Sequence, residues 1–407
     1  MSDSTEAERV PSDPRMVATL WPELLAAAVS LVPFTVFSTF LVPIAREAEV
    51  DVAALGSLRG LGGLAALVVG TALAPLLDRV SKELSAAAAL VLLGLSSVVG
   101  AIGELFAIAA FCLLIGAATA VLAPALSAAA ADRYPGPAAA GRAATLVTAV
   151  TSMTAMLAGP LVALPALVWG WRGDLLGVAV LALPLAVILF RRRSVDAAGP
   201  SEERLGYFAA YRALAAVPGA VALLLIALLR TAAFMGYLAY LAAFYAERFE
   251  LGPTVFAFVW TLSGASFFVG NLLIGRLVNA ADAAKRAERV LVGGLLVAAV
   301  AMFGLFLAPG LPVALIATVV LGLSHAAVAA CVVSLLVRRC GSMRGSALAI
   351  NAAGMSFGVF LGAGLGGLGL GFAGYPGIAV VLGGLTCCAL VLAWIVRAGS
   401  GKLPEAA

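Results

Sequence analysis

Few side chains in this sequence could do chemistry, and most of them sit inside long apolar runs. Arg230 follows AVALLLIALL, and Phe234 and Tyr237 stand four and seven residues after it, on one face of any helix through them. A cation beside aromatic rings suits an anion or a carbonyl-rich ligand. A structural arginine satisfied by a backbone carbonyl or a distant acid would leave the same pattern. His325 is the single histidine, and an unperturbed pKa of about 6.5 makes it a possible proton carrier. A neutral core histidine is the plainer reading. Glu23 is the one acid clearly within the inner half of an apolar run. It could take a proton, or it could snorkel to the nearer surface. Ser30, Phe34, Phe37 and Ser38 continue its run as a mixed aromatic and hydroxyl stripe, and Cys112, Gly116 and Thr119 share a second face. Both stripes suit ligand contact or simple helix packing.

The elements that must carry these residues follow from composition. Of 407 residues, 63% are apolar and only 11% charged, with a mean hydropathy of +1.11. A soluble domain carries roughly 25% charge, so the surface of this chain is built for lipid. A helix needs about 20 apolar residues to cross the hydrocarbon core, and the runs are far too long for barrel strands. They predict twelve spans: Thr19–Ile44, Ala53–Leu77, Leu84–Gly103, Leu105–Ala131, Ala143–Val168, Asp174–Phe190, Pro218–Tyr245, Thr254–Val278, Val290–Ala308, Pro312–Val337, Ser346–Phe372 and Pro376–Val396. Polar groups at such depth are expensive, which makes Arg230, His325 and Glu23 functional candidates by default. Arg59, under two turns into the second span, is expected to reach the outer interface. Asn271 and Asn351 are expected to bridge helices.

Charge gives the orientation. With twelve spans and the N-terminus inside, only Arg46, Arg172 and Arg248 of the 25 basic residues fall in outer loops, and Arg59 and Arg230 fall within spans. The rest lie inside, as the positive-inside rule requires. Both termini are therefore expected on the cytoplasmic side of a bacterial-type inner membrane. The net charge of +4 is topological and implies no nucleic-acid partner. The polar stretch Met1–Arg15 lacks the apolar core of a signal peptide. Five cysteines in no CxxC spacing and a single histidine supply no metal-ligand pattern. The phosphate-cradling G-x-x-x-x-G-K-[ST] loop of an ATP-driven pump is absent, so no cofactor is expected and the chain does not read as an enzyme.

The two halves echo each other. Ala155, Gly159 and Ala163 are spaced by four, as are Gly358, Gly362 and Gly366, at a constant offset of 203 residues. Such duplication is typical of secondary transporters. The expected organisation is a tail over 1–16, a six-helix bundle over 17–193, a central loop over 194–217, a second six-helix bundle over 218–397 and a tail over 398–407. Ser201 with Glu202 and Glu203 looks like the capped start of a short interfacial helix in the central loop.

Several motifs carry a resemblance. Asp78-Arg79-Val80-Ser81-Lys82-Glu83 resembles the D-R-x-G-[RK]-[RK] signature of the major facilitator superfamily, with Ser81 in place of glycine. Gly159-Pro160, followed by Leu161, Val162 and Ala163, resembles the family's G-P-x-x-G-G antiporter signature, with both closing glycines lost to Ala163 and Leu164. Gly170-Trp171-Arg172 matches its common G-W-R, and Cys112 stands where the family often has an arginine before Gly116. The resemblance covers the chain from Leu20 to Arg397.

What the resemblance implies is a membrane carrier of two six-helix bundles related by pseudo-two-fold symmetry, working by alternating access. It places a substrate cavity between spans one, four, seven and ten, and hence Ser30, Phe34, Phe37, Cys112, Thr119, Arg230, Phe234, Tyr237 and His325 as candidate contacts. It makes Asp78, Arg79, Gly159, Pro160 and Arg344 gating candidates, Asp78 as a latch that faces Arg344 or the start of the eleventh span. The expected activity is proton-coupled efflux of a drug or metabolite. An uptake or facilitative carrier for an organic anion or sugar stands beside it, and a non-transporting receptor of the same fold is a distant third. His325 as proton carrier beside Arg230 predicts symport with an anion, whereas Glu23 predicts antiport with a neutral or cationic solute. The expected partners are a small solute, protons and the lipid bilayer; no oligomer signal is present, so a monomer is expected.

Overall fold

The computed structural model describes residues 11–72, 80–193, 212–278 and 284–400. Its elements are α1 (Asp13–Thr39), α2 (Val52–Ala72), α3 (Lys82–Gly100) and α4 (Leu105–Asp132). A helix over Pro137–Arg191 holds α5 (137–169) and α6 (171–191). Then come α7 (Ala220–Phe249), α8 (Pro253–Val278), α9 (Ala284–Phe306) and α10 (Leu311–Cys340). A last helix over Arg344–Ser400 holds α11 (344–372) and α12 (375–400). A short helix, Leu41–Glu47, extends α1 past a break at Phe40.

Two of these helices are far too long for one crossing. At 1.5 Å per residue, 55 or so residues would reach about 80 Å, against a hydrocarbon core of about 30 Å. Each is in fact two spans joined by a tight reversal. Gly170 adopts φ 71°, ψ 175°, and Gly374 adopts φ 64°, ψ −154°, just after a distorted Ala373. That region of backbone space is open essentially to glycine alone, so the sequence terminates each helix with the one residue that can turn there. The result is twelve apolar spans, at the positions the apolar runs predict. Pro218, expected as the first residue of the seventh span, instead precedes it: α7 begins at Ala220 behind Gly219, whose φ is 79°.

Local signals explain other ends. Ser81 stands where the resembling loop signature has glycine. Its hydroxyl accepts the Leu84 backbone N–H at 3.3 Å and caps α3, and Glu83 in the first turn suits the helix dipole. Glu49 and Glu250 are the non-glycine residues with positive φ, 54° and 56°, among the described residues. Both follow the C-terminal end of a helix, where glycine is usual, and each costs on the order of 1–2 kcal/mol.

The described residues gather into two compact units. Those in Met1–Val36 and Val68–Ser201 form one, and those in Phe37–Leu67 and Glu202–Ala407 form the other. The second unit thus holds the C-terminal end of α1 and most of α2. Within it, small residues let backbones touch. A Cβ on Gly358 would lie 2.7 Å from the Leu228 carbonyl oxygen of α7, and one on Gly362 would collide with the Ala232 carbonyl. On its other side α11 meets α2, where a Cβ on Gly60 would lie 2.9 Å from the Phe360 carbonyl oxygen. Tyr240 of α7 fastens this packing by donating to the carbonyl of Ala363 at 2.8 Å.

Candidate functional site

The helical spacing of Arg230, Phe234 and Tyr237 on α7 brings them to one side of that helix, where α8 and α10 pack. Arg230 is 4% exposed, and its Nη2 donates to the Thr231 hydroxyl at 3.0 Å. Among the described residues no carboxylate lies within ion-pair distance of it. The Phe234 ring stacks on Phe267 of α8 at 5.2 Å and lies 4.8 Å from the His325 ring of α10, with Tyr237 at 5.6 Å. The Tyr237 hydroxyl shares a hydrogen bond with Ser263 at 3.1 Å. One turn pair along α7, Tyr245 and Thr318 repeat the arrangement at 2.9 Å.

His325 is fully buried, and neither ring nitrogen has a hydrogen-bond partner. Buried polar groups are almost always paired, so this imidazole is the least satisfied group in the cluster. Chemically, the cluster offers a guanidinium with donors in a planar fork, three aromatic faces and one unpaired imidazole. Phe267, Ser263 and Thr231 are members that sequence reading missed. The available signal was the four-residue spacing of Ser263 and Phe267 on one face of α8.

Of the candidates in the first half, Ser30, Phe34, Cys112 and Thr119 belong to the first unit. Phe34 meets Phe111 edge to face at 6.4 Å, and Cys112 is fully buried beside it in sequence. The hydroxyls of Ser30 and Thr119 turn back on their own helices, donating to Ala27 at 2.7 Å and Ile115 at 2.9 Å. Phe37 is buried at 2% and belongs to the second unit.

Glu23 is fully buried rather than snorkelling. Its Oε1 accepts from Arg133 Nε at 2.9 Å, and Arg192 Nη1 approaches Oε2 at 3.7 Å. The other unit has an analogous pair, Arg339 to Glu288 at 2.6 Å. Arg59 does not reach an interface as expected: it is 8% exposed and donates to the hydroxyl of Ser38. The bridging expected of the asparagines also fails. Asn271 is exposed, and Asn351 donates to Met355 of its own helix at 3.5 Å.

Of the gating candidates, Asp78 and Arg79 lie outside the described residues, as does most of the predicted interfacial helix. Gly159 is buried and Pro160 half-buried within α5, and Arg344 is exposed at the start of α11. The G-W-R motif forms the reversal between α5 and α6. Trp169 Nε1 donates to Asp174 at 2.6 Å, and Arg172 Nε donates to the Ala101 carbonyl at 3.1 Å. Among the described residues no three His, Cys, Asp or Glu side chains converge to hold a metal.

Comparison with known proteins agrees with the twelve-span fold. The sequence profile of the Major Facilitator Superfamily matches residues 24–287. No curated protein sequence matches significantly. Among solved structures, the chain is similar to a bacterial homolog of the human lysosomal transporter Spinster, in an inward-facing and unoccupied conformation. The TM-score is 0.72 at 18% identity, covering 95% of this chain and 96% of that one. It is also similar to the nucleoside transporter NupG, with a TM-score of 0.71 at 14% identity over 94% and 99% of the two chains. The human organic anion transporter MFSD10 gives a TM-score of 0.63 at 16% identity over 94% and 100%.

Proposed function

The chain belongs to the Major Facilitator Superfamily, and from that premise we propose that it is a proton-coupled secondary carrier of a small organic anion. The observation that carries this reading is Arg230, a buried guanidinium with a hydroxyl for company and no carboxylate among the described residues. A buried charge without a counter-ion is strongly unfavourable, and a bound anion removes that penalty. A carboxylate suits the planar guanidinium fork, while Phe234, Tyr237 and Phe267 supply apolar walls.

Coupling is assigned to His325. An anion beside Arg230 favours an imidazolium, and a proton on His325 favours the anion; the linkage is reciprocal. That is symport. Glu23 is held by two guanidinia, which suits a fixed structural charge better than an exchanging proton. On the orientation that the basic residues favour, both termini are cytoplasmic and an inward proton gradient drives uptake.

Efflux by antiport is the second reading, supported by the Gly159-Pro160 pattern in α5. Purified carrier in proteoliposomes, with a panel of monocarboxylates and dicarboxylates, decides between the two. Anion entry accompanied by lumenal acidification that disappears in His325→Gln supports symport. Lumenal alkalinisation on solute entry would establish antiport instead. Transport of cations alone would remove the anion reading.

A further inference from the structure

A second pocket lies at the face to which α1 and α7 deliver their C-terminal ends. It has a volume of about 250 Å³, and its walls include Thr39, Arg46, Ala242, Ala246, Glu250 and Phe256. All belong to the second unit. The nearest of the α7 residues, Ala242, stands twelve residues beyond Arg230, or about 18 Å along the helix. Neither Arg230 nor His325 lines this pocket.

Three polar groups line it, and one of them is buried without a partner. Thr39 is 3% exposed, and its hydroxyl has no hydrogen-bond partner. Arg46 and Glu250 line the same small volume with opposite charges, and among the described residues neither side chain forms an ion pair or hydrogen bond. Both side chains are solvent-exposed, where an ion pair is worth little; lining one pocket with opposite charges, they suit a solute that carries both.

The backbone adds an independent observation. Glu250 caps α7 in the left-handed region, at φ 56°. Glycine would occupy that position without strain, as it does at most such helix ends. Glutamate stands there instead, and it lines the pocket.

We infer that this pocket binds a small zwitterion, its carboxylate on Arg46 and its ammonium on Glu250, with the Thr39 hydroxyl as a third contact. The volume equals that of about eight waters, which suits a free amino acid. Because the walls come from both the α1 extension and the α7–α8 turn, the bound solute would also hold these two elements together.

Saturation binding of radiolabelled L-alanine to the purified full-length protein in detergent tests the assignment. Propionate and ethylamine serve as competitors, being the same molecule without its ammonium or without its carboxylate. We expect saturable L-alanine binding that neither competitor displaces at tenfold excess. Arg46→Gln and Glu250→Gln should each weaken it at least tenfold, and Arg230→Ala should leave it intact. Glu250→Gly should melt at a higher temperature than wild type in the absence of ligand, yet bind no L-alanine. Four results would overturn the proposal. These are no saturable binding, equal displacement by propionate, binding retained in Glu250→Gly, and binding lost in Arg230→Ala but kept in Glu250→Gln. The last would assign the zwitterion to the Arg230 cluster, leaving the transport reading to stand or fall on its own assay.

Discussion

Arg133 grips Glu23 with two nitrogens of one guanidinium, Nε at 2.9 Å and Nη2 at 2.8 Å from the same carboxylate oxygen. Glu23 is fully buried and Arg133 only about a fifth exposed, so the pair ties α1 to the C-terminal end of α4. Breaking one partner of such a pair leaves a buried charge and costs on the order of 3–5 kcal/mol. Glu23→Gln and Arg133→Gln should each lower the melting temperature of the purified protein markedly. The double variant should recover part of that loss. If proton coupling resides on His325, the proton-to-solute ratio of whatever Glu23→Gln protein survives should match wild type.

The glycines of α11 separate packing from mere helix composition. A Cβ at Gly362 would collide with the Ala232 carbonyl, while one at Gly354 meets nothing within 4 Å. Gly362→Ala should therefore force α7 and α11 apart, with an overpacking cost of about 1–3 kcal/mol, and depress both yield and transport. Gly354→Ala should be tolerated. Equal behaviour of the two in expression and melting assays would show that α7 and α11 do not approach this closely.

The reversals at Gly170 and Gly374 give a second glycine contrast. Nothing lies within 4 Å of a Cβ at Gly170, so any penalty for Gly170→Ala comes from the backbone alone, about 1–3 kcal/mol. Gly293→Ala, in the middle of α9 with equally open surroundings, should instead stabilise by roughly 0.5–1 kcal/mol. Thermal unfolding of the two variants should move in opposite directions.

At the proposed anion site, Arg230→Lys keeps the charge and loses the planar fork. It should raise the half-saturating anion concentration several-fold, and Arg230→Ala should raise it by at least tenfold. Size-exclusion profiles matching wild type would show that the change is in binding. Unaltered transport by well-folded Arg230→Ala would remove Arg230 from the substrate path.

Element positions were legible in the sequence because lipid imposes a simple rule: a span is an apolar run of fixed minimum length. The reversals at Gly170 and Gly374 fell between predicted spans for the same reason. Boundaries set by local chemistry were less visible. Pro218 looked like a helix start, but Gly219 takes that junction through its positive φ. On α7, the i, i+4 and i+7 spacing sufficed to group Arg230 with Phe234 and Tyr237. Partners from other helices were not legible at all. Nothing in the sequence near Arg59 points to Ser38, 21 residues earlier, or near Glu23 to Arg133, 110 residues later. Those pairings depend on how helices rotate against one another, which apolar periodicity hardly constrains when a helix faces both lipid and protein. The strain at Glu250 was likewise invisible, since a glutamate before a leucine and a glycine carries no mark of its backbone angle.

Arg230 also has an electrical consequence. A full charge moved through a membrane potential of 100 mV changes energy by about 2.3 kcal/mol. With no carboxylate beside it among the described residues, the guanidinium gives the empty carrier a positive charge at depth, and a monoanion that brings a proton onto His325 leaves that sum unchanged. Membrane voltage would then act alike on the loaded step and on the return of the empty carrier, so the complete cycle would move no net charge. Capacitive currents recorded after voltage jumps should appear both without substrate and with it, and should shrink on anion saturation only in His325→Gln, where the anion binds without a proton.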